Sequence, residues 1–375
     1  MPGRELSMPP ISVLLKPSSS QCNMSCAYCF YCDEAKNRVQ RSYGFMSEQT
    51  LKNVIRRTLL RAEGMAAYAF QGGEPTLAGL DFFRRAVDLE QQYNKNFIRV
   101  ENSLQTNGLL IDEEWCRFLA GQYFLVGLSV DGTEEIHDKL RRTGSGEPTF
   151  ARVCRAAEMM DAFGVDYNIL TVVTSRIAGN IREIYSFYRD RGWDFQQYIF
   201  CLAPLGESDM FGYVPSPEEY GKFLIDLFDL WYADLLQGRQ PYIRQFENFV
   251  ALAAGRIPES CDQRGTCGIQ YVVEADGSVY PCDFFVLDEY RLGNFNEDLL
   301  DEIDAARSGI GFVDRSQKIA PACRECPYYR LCRGGCQRSR VWDAGAQAYK
   351  NSFCKGYRMF FAHSYEKLME IGRQL

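Results

Sequence analysis

Cys22, Cys26 and Cys29 stand close together in the run Cys22-Asn-Met-Ser-Cys26-Ala-Tyr28-Cys29-Phe30. Three thiolates can hold three corners of a four-iron, four-sulfur cube, whereas a site for electron transfer alone normally supplies a fourth. One iron would then stay open to a reacting ligand. A zinc site, or three unrelated buried thiols, is the plainer alternative. A second constellation lies far down the chain: Cys261, Cys267, Cys282, Cys323, Cys326, Cys332, Cys336 and Cys354. Eight thiolates fill two further four-iron clusters, with zinc in four-cysteine sites again the sober alternative. Of the remaining cysteines, Cys116 and Cys154 fall in predicted helices and read as small core residues. Cys32 and Cys201 have no partner in the sequence that would make either a convincing nucleophile.

The elements that must position these groups follow from apolar patterning. Short β-branched, apolar or aromatic runs predict strands at Ile11 to Lys16, Ala66 to Phe70, Phe97 to Ser103, Tyr123 to Ser129, Tyr167 to Val173 and Phe195 to Cys201. Between them lie segments of helical period, such as Leu51, Val54, Ile55 and Leu59 after a Ser47 cap, and others opening near Leu80, Asp112, Thr149 and Asn180. Six strands, each followed by a helix, predict an α/β fold whose parallel sheet curls into a partial (β/α)6 TIM-like barrel. Such barrels put chemistry at the C-terminal ends of their strands. Ser216-Pro217-Glu218-Glu219 reads as a cap, first-turn proline and acidic first turn of a helix to roughly Leu236. A looser, cysteine-rich region follows. The expected division is 1–237 for the barrel and 238–375 for a C-terminal domain, with no internal repeat.

Composition excludes several classes. The chain has 375 residues, 46% hydrophobic and 24% charged, which is the balance of a globular protein large enough to bury a core. A formal charge of −7 leaves no basic excess for general nucleic-acid binding, and stretches such as Arg333 to Arg340 read as a solvated face or cluster surroundings. No apolar run approaches the ~20 residues that span a bilayer, and the N-terminus does not look like a secretory signal. A cytoplasmic location is expected, where fifteen cysteines point to metal rather than disulfides. Only two histidines, His137 and His363, are present, so the machinery must be sulfur-based; both are expected to be surface or structural residues.

Three polar motifs close predicted strands. Phe70-Gln71-Gly72-Gly73-Glu74-Pro75 ends the second, where two glycines admit close backbone approach and proline stiffens the exit. Ser103-Leu104-Gln105-Thr106-Asn107-Gly108 ends the third, and Leu128-Ser129-Val130-Asp131-Gly132 the fourth. Alone, each would be an ordinary turn. Downstream of Cx3CxxC, they resemble the radical S-adenosylmethionine (radical SAM) enzymes. That resemblance implies that SAM chelates the open iron and is cleaved to a 5'-deoxyadenosyl radical. It also implies that Tyr28, Gly72, Gly73 and Glu74 help bind SAM. Ser129 and Asp131, at the barrel mouth, are the further candidates for SAM contacts.

Gly277-x4-Cys282, Cys323-x2-Cys326-x5-Cys332-x3-Cys336 and Cys354 resemble the SPASM auxiliary-cluster domain. By that resemblance Cys261, Cys267, Cys282 and Cys336 would hold one cluster, and Cys323, Cys326, Cys332 and Cys354 a second, giving three [4Fe-4S] clusters in all. Longer stretches, Cys29-Phe30-Tyr31, Phe70 to Leu80, Ser103 to Gly108 and Gly277 to Phe284, resemble the anaerobic sulfatase-maturating enzymes. The family oxidises a cysteine or serine of a sulfatase to Cα-formylglycine. The resemblance implies a base at Asp283, substrate contacts at Tyr31 and Gln71, and an unfolded or nascent sulfatase carrying Cys/Ser-x-Pro-x-Arg as partner, with an electron donor such as ferredoxin or flavodoxin. No nucleic-acid or membrane partner is expected. A SPASM maturase that crosslinks a small precursor peptide is the nearest rival, and a multi-cluster electron carrier is the rival from another class. Sequence alone leaves open whether cysteine or serine is the target.

Overall fold

The computed structural model describes residues 10–205, 212–345 and 347–375. In chain order the main strands are β1 (Ile11–Leu15), β2 (Met65–Phe70), β3 (Arg99–Thr106), β4 (Leu125–Ser129), β5 (Tyr167–Val173), β6 (Phe195–Phe200), β7 (Tyr242–Ile243), β8 (Tyr271–Val273), β9 (Ser278–Tyr280), β10 (Gly293–Asn294), β11 (Arg340–Asp343) and β12 (Ala348–Asn351). β1 to β6 are the six expected strands, with helices between them, so the chain has the α/β, partial (β/α)6 barrel pattern with a cysteine-rich C-terminal region. Two starts differ from expectation by two residues. Phe97 and Tyr123 take φ of 52° and 54° and stand almost wholly exposed, so each ends a turn and its strand begins two residues later.

The residues divide into two compact units that interleave along the chain. One runs through Ser129 and adds Arg142–Tyr167 and Ile269–Ile310; the other comprises Val130–Arg141, Asn168–Gly268 and Gly311–Leu375. In the first, β1, β2, β3 and β4 are parallel neighbours. β8 joins the free edge of β1, also parallel, pairing Val13 with Tyr271, and β9 and β10 extend the sheet antiparallel. Burial alternates along β2, where Ala66, Tyr68 and Phe70 face inward. Phe70 meets Phe83 at 5.0 Å and Phe83 meets Trp115 at 5.0 Å, tying β2 to the Leu80–Tyr93 and Glu113–Gly121 helices. Each such ring contributes roughly 1.5–3 kcal/mol by burial. Ser47, Asp112 and Ser216 cap helices as their side chains predict, Ser216 within a full capping box.

In the second unit the Pro217–Leu236 helix packs on Cys354–Gln374. A Cβ on Gly356 would lie 2.2 Å from the Pro217 carbonyl oxygen, so the close crossing requires glycine there. The crossing fixes Cys354 at the start of its helix. Among the described residues, no helix is long and apolar enough to cross a membrane.

Candidate active site and cluster sites

The cysteine loop is held from below by the end of β2. Gly73 N–H donates to Ser19 O at 2.9 Å, Glu74 N–H to Gln21 O at 2.8 Å, and Ser18 Oγ to Glu74 O at 2.9 Å. A Cβ on Gly73 would fall 2.0 Å from Gln21 O, and Gly72 takes φ of +120°. The two glycines therefore let β2 approach the loop that carries Cys22. Glu74 is buried, and its carboxylate gathers the end of β3. Oε1 accepts from Thr76 N–H (3.1 Å), Thr76 Oγ1 (2.6 Å) and Thr106 Oγ1 (2.8 Å), and Oε2 from Asn107 N–H (2.7 Å). Burial pushes the carboxyl upward against these four donors. Asn107 completes the link, its amide reaching Asn23 Oδ1 at 2.8 Å and Cys22 Sγ at 3.8 Å.

Around Asp283 the structure assembles a buried group of charges. Asp283 follows Cys282 directly in a short 3-10 turn and is 8% exposed. Tyr31 O–H donates to Oδ2 at 2.6 Å, and Gln71 Nε2 lies 3.4 Å from the same oxygen. Oδ1 is buried without a hydrogen-bond partner among the described residues, 3.8 Å from Lys16 Nζ. Lys16 itself is 1% exposed at the end of β1. Its ammonium also lies 3.5 Å from Glu274 and 3.8 Å from Glu34, and 4.6 Å above the Tyr31 ring. Arg38 pairs with Glu274 at 2.6 Å. Two cations thus face three carboxylates, one negative charge in excess if all ionise. Burial pushes Glu34 up to about 8, with Lys16 pulling against it. Burial also raises Glu274, but Lys16 and Arg38 together hold it below the ordinary value. Asp283 is raised by burial, opposed by Lys16 and by the Tyr31 hydrogen bond.

Sequence reasoning brought Tyr31, Gln71 and Asp283 together and missed Lys16, Glu34, Arg38, Glu274 and Asn107. One signal was available: Lys16 is a charged residue closing an otherwise apolar strand. Tyr28 lies between Cys26 and Cys29 on the loop, and Ser129 is buried at the end of β4. Asp131, in the second unit, is fully buried and already engaged. Its Oδ2 takes Arg141 at 2.9 Å and its Oδ1 the Val172 N–H at 3.0 Å, so its carboxylate braces protein rather than standing open for a ligand. His137 accepts from Asp131 N–H and is held low, to about 4, by burial, while exposed His363 contacts Asp229 at 2.7 Å. Both are structural, as expected. Cys116, Cys154 and Cys201 are buried, and exposed Cys32 hydrogen-bonds toward Cys29.

The second unit groups its cysteines in two sets. Cys323, Cys326, Cys332 and Cys354 line one cavity of about 350 Å³, whose space and four thiols suit a polynuclear cluster. Cys336 lies within electrostatic reach of Cys261 and Cys267 instead. Burial pushes Cys332 and Cys336 up to about 12, so cluster assembly at either must displace protons. Cys282 lies in the first unit.

Residues 17–187 match the radical SAM superfamily, and residues 265–327 match the SPASM iron-sulfur cluster-binding domain. The latter favours iron-sulfur over zinc for the C-terminal cysteines. The chain is 43% identical to a cysteine-type anaerobic sulfatase-maturating enzyme of Clostridium perfringens, over 98% of this chain and 100% of that one. It is 29% identical to a serine-type anaerobic sulfatase-maturating enzyme of Bacteroides thetaiotaomicron, over 94% and 89%. Its fold superposes on a solved structure of native anSMEcpe with bound AdoMet and Kp18Cys peptide at TM-score 0.92, with 42% identity over 98% of this chain and 100% of that one.

Proposed function

The chain belongs to the anaerobic sulfatase-maturating enzymes, and from that premise we propose that it oxidises one cysteine of a sulfatase polypeptide to Cα-formylglycine. Cysteine is favoured over serine because the 43% identical relative is cysteine-type and the serine-type relative is 29% identical. With a cluster on Cys22, Cys26 and Cys29, bound SAM supplies a carbon-centred radical able to take hydrogen from the target Cβ. Gly72, Gly73, Glu74, Tyr28 and Ser129 are assigned to the SAM side of the site. Residues 1–237 are assigned to the radical SAM part and 238–375 to the SPASM part, of which Ile269–Ile310 packs within the first unit. Cys261, Cys267, Cys282 and Cys336 are assigned to the first auxiliary cluster and the cavity-lining set to the second. The location proposed is the cytoplasm, which keeps such thiols reduced.

After hydrogen abstraction the target carbon must lose one electron, and its sulfur one proton, before the thioaldehyde can form and hydrolyse. The single observation that carries the assignment of the base is the asymmetry of Asp283: Oδ2 is held by Tyr31 and Gln71, while Oδ1 has no hydrogen-bond donor among the described residues. Oδ1 takes the thiol proton, and Lys16 moderates the charge of the carboxylate without donating to it. Tyr31 and Gln71 fix the orientation of the carboxylate and border the target peptide. That peptide enters extended, backbone hydrogen bonds supplying much of its affinity.

The test is anaerobic: reconstituted enzyme, dithionite, SAM and peptides bearing Cys-x-Pro-x-Arg or Ser-x-Pro-x-Arg, weighed by mass spectrometry. The cysteine peptide is expected to be the better substrate. Asp283→Asn should still release deoxyadenosine while aldehyde yield falls by about 10²–10⁴-fold, the span of a general base. Undiminished yield would remove Asp283 from the role. An unmodified peptide alongside continued deoxyadenosine formation would favour the crosslinking reading.

A further inference from the structure

The cavity of Cys323, Cys326, Cys332 and Cys354 lies in a stretch whose charge opposes that of the chain. Residues 311–358 hold ten Lys and Arg against three Asp and Glu, a net +7 within a formal net of −7. Exposed Lys350 and Arg358 line the cavity. A second hollow of about 420 Å³ is lined by Arg264, Arg330 and Arg333, and Tyr329 lines both, so the two adjoin. Their backs are anchored: Arg330 donates to Ala253 O at 2.8 Å and Arg264 to Pro258 O at 3.1 Å. Beside the cavity runs the β11–β12 hairpin, whose Asp343 and Lys350 line it. This hairpin exposes Val341 (57%), Trp342 (53%) and Tyr349 (46%), the last two stacked edge to face at 5.2 Å. An apolar hairpin beside a basic rim combines a small contact area with electrostatic steering, the character of a transient redox interface under ~1,200 Å².

We propose that this face, from the three-arginine hollow across the four-cysteine cavity to the β11–β12 hairpin, docks a small acidic one-electron carrier protein. The proposal rests on the formylglycine reading for its chemistry. Per turnover the substrate radical is oxidised by one electron, the sulfur proton goes to Asp283, and the oxidised carrier is reduced by that electron. The charge of the face selects an acidic partner and speeds encounter, and the cavity sets where the carrier's redox centre comes to rest.

The experiment uses cluster-loaded enzyme under anaerobic conditions and an oxidised acidic 2[4Fe-4S] ferredoxin as probe, with Kd measured by thermophoresis at low and high salt. Lys350→Glu/Arg358→Glu should weaken Kd at least about tenfold, and wild-type binding should fall steeply with salt. Arg264→Glu, outside the four-cysteine cavity, should weaken it in the same direction. Arg56→Glu/Lys95→Glu, an equal charge change on exposed residues of the first unit, should leave Kd unchanged. Iron content and dithionite-driven aldehyde formation should be the same in wild type, Arg264→Glu and Arg56→Glu/Lys95→Glu. Equal weakening by the two double variants would overturn the proposal, as would equally tight binding of a redox-inactive protein of matching charge. Failure of the formylglycine reading would appear separately, as wild-type enzyme that binds ferredoxin at this face but leaves the peptide unmodified.

Discussion

Lys16→Met takes one of two cations from a buried group that holds three carboxylates. Lys16, Glu34, Arg38, Glu274 and Asp283 are each at most 8% exposed, so water cannot replace the lost ammonium. Breaking such a group from one side costs about 3–5 kcal/mol. With an unfolding entropy of about 2.1 cal/mol/K per residue, that corresponds to a fall in Tm of about 4–6 °C for cooperative unfolding of the chain. The loss should depend on pH. Burial already pushes Glu34 up to about 8, and Glu274 is kept low chiefly by Lys16 and Arg38. Without Lys16 both carboxyls hold protons more tightly than in the wild-type fold, while the unfolded chain is unchanged. A state that binds more protons when folded loses stability as pH rises, so the deficit against wild type should be larger at pH 8 than at pH 6. Anaerobic thermal melts of cluster-loaded protein at the two pH values measure it. A deficit below about 1 °C, or one equal at both pH values, would refute the description of the group as a charge-balanced unit.

Gly73→Ala drives a methyl into Gln21 O at 2.0 Å and should shift the cysteine loop, so iron should fall by about four from the roughly twelve per chain expected for three clusters. Cys332→Ser should also remove about four irons, while leaving SAM binding by the N-terminal loop intact. Glu74→Gln places an amide N–H against one of four donors, a cost of about 1–3 kcal/mol. It should lower Tm and weaken SAM affinity by at least about tenfold by equilibrium dialysis; unchanged affinity would show that the Thr106–Asn107 turn does not serve SAM binding.

Local signals in this chain were strong. Strand runs from Ile11 to Phe200 and caps at Ser47, Asp112 and Ser216 were legible because each depends on neighbours within a few residues. Phe97 and Tyr123 misled because an aromatic residue looks like strand even where the backbone turns with positive φ. The candidate site was legible in its motif residues and illegible in its support. Glu34 lies in the Phe30–Lys36 helix and Glu274 just after β8, and neither has a distinctive neighbourhood in sequence; only the pairing of β8 with β1 brings them to Lys16. The glycines of Gly72-Gly73 were expected to admit a ligand, and their close contact turned out to be the cysteine loop. Asp131 was legible as a polar residue at a strand end, but its partners Arg141 and the Val172 N–H, which lie outside its motif, were not.

The parallel pairing of Val13 with Tyr271 has a consequence for biosynthesis. β1 leaves the ribosome well before β8, the strand that completes its outer edge, and Asp283 arrives later still. Long-range parallel pairing is slow and leaves edges exposed meanwhile. The three-cysteine loop therefore emerges well before its surroundings exist. Iron loaded at that stage would meet solvent on an unfinished sheet, so orderly maturation places cluster delivery after the C-terminal half has been made.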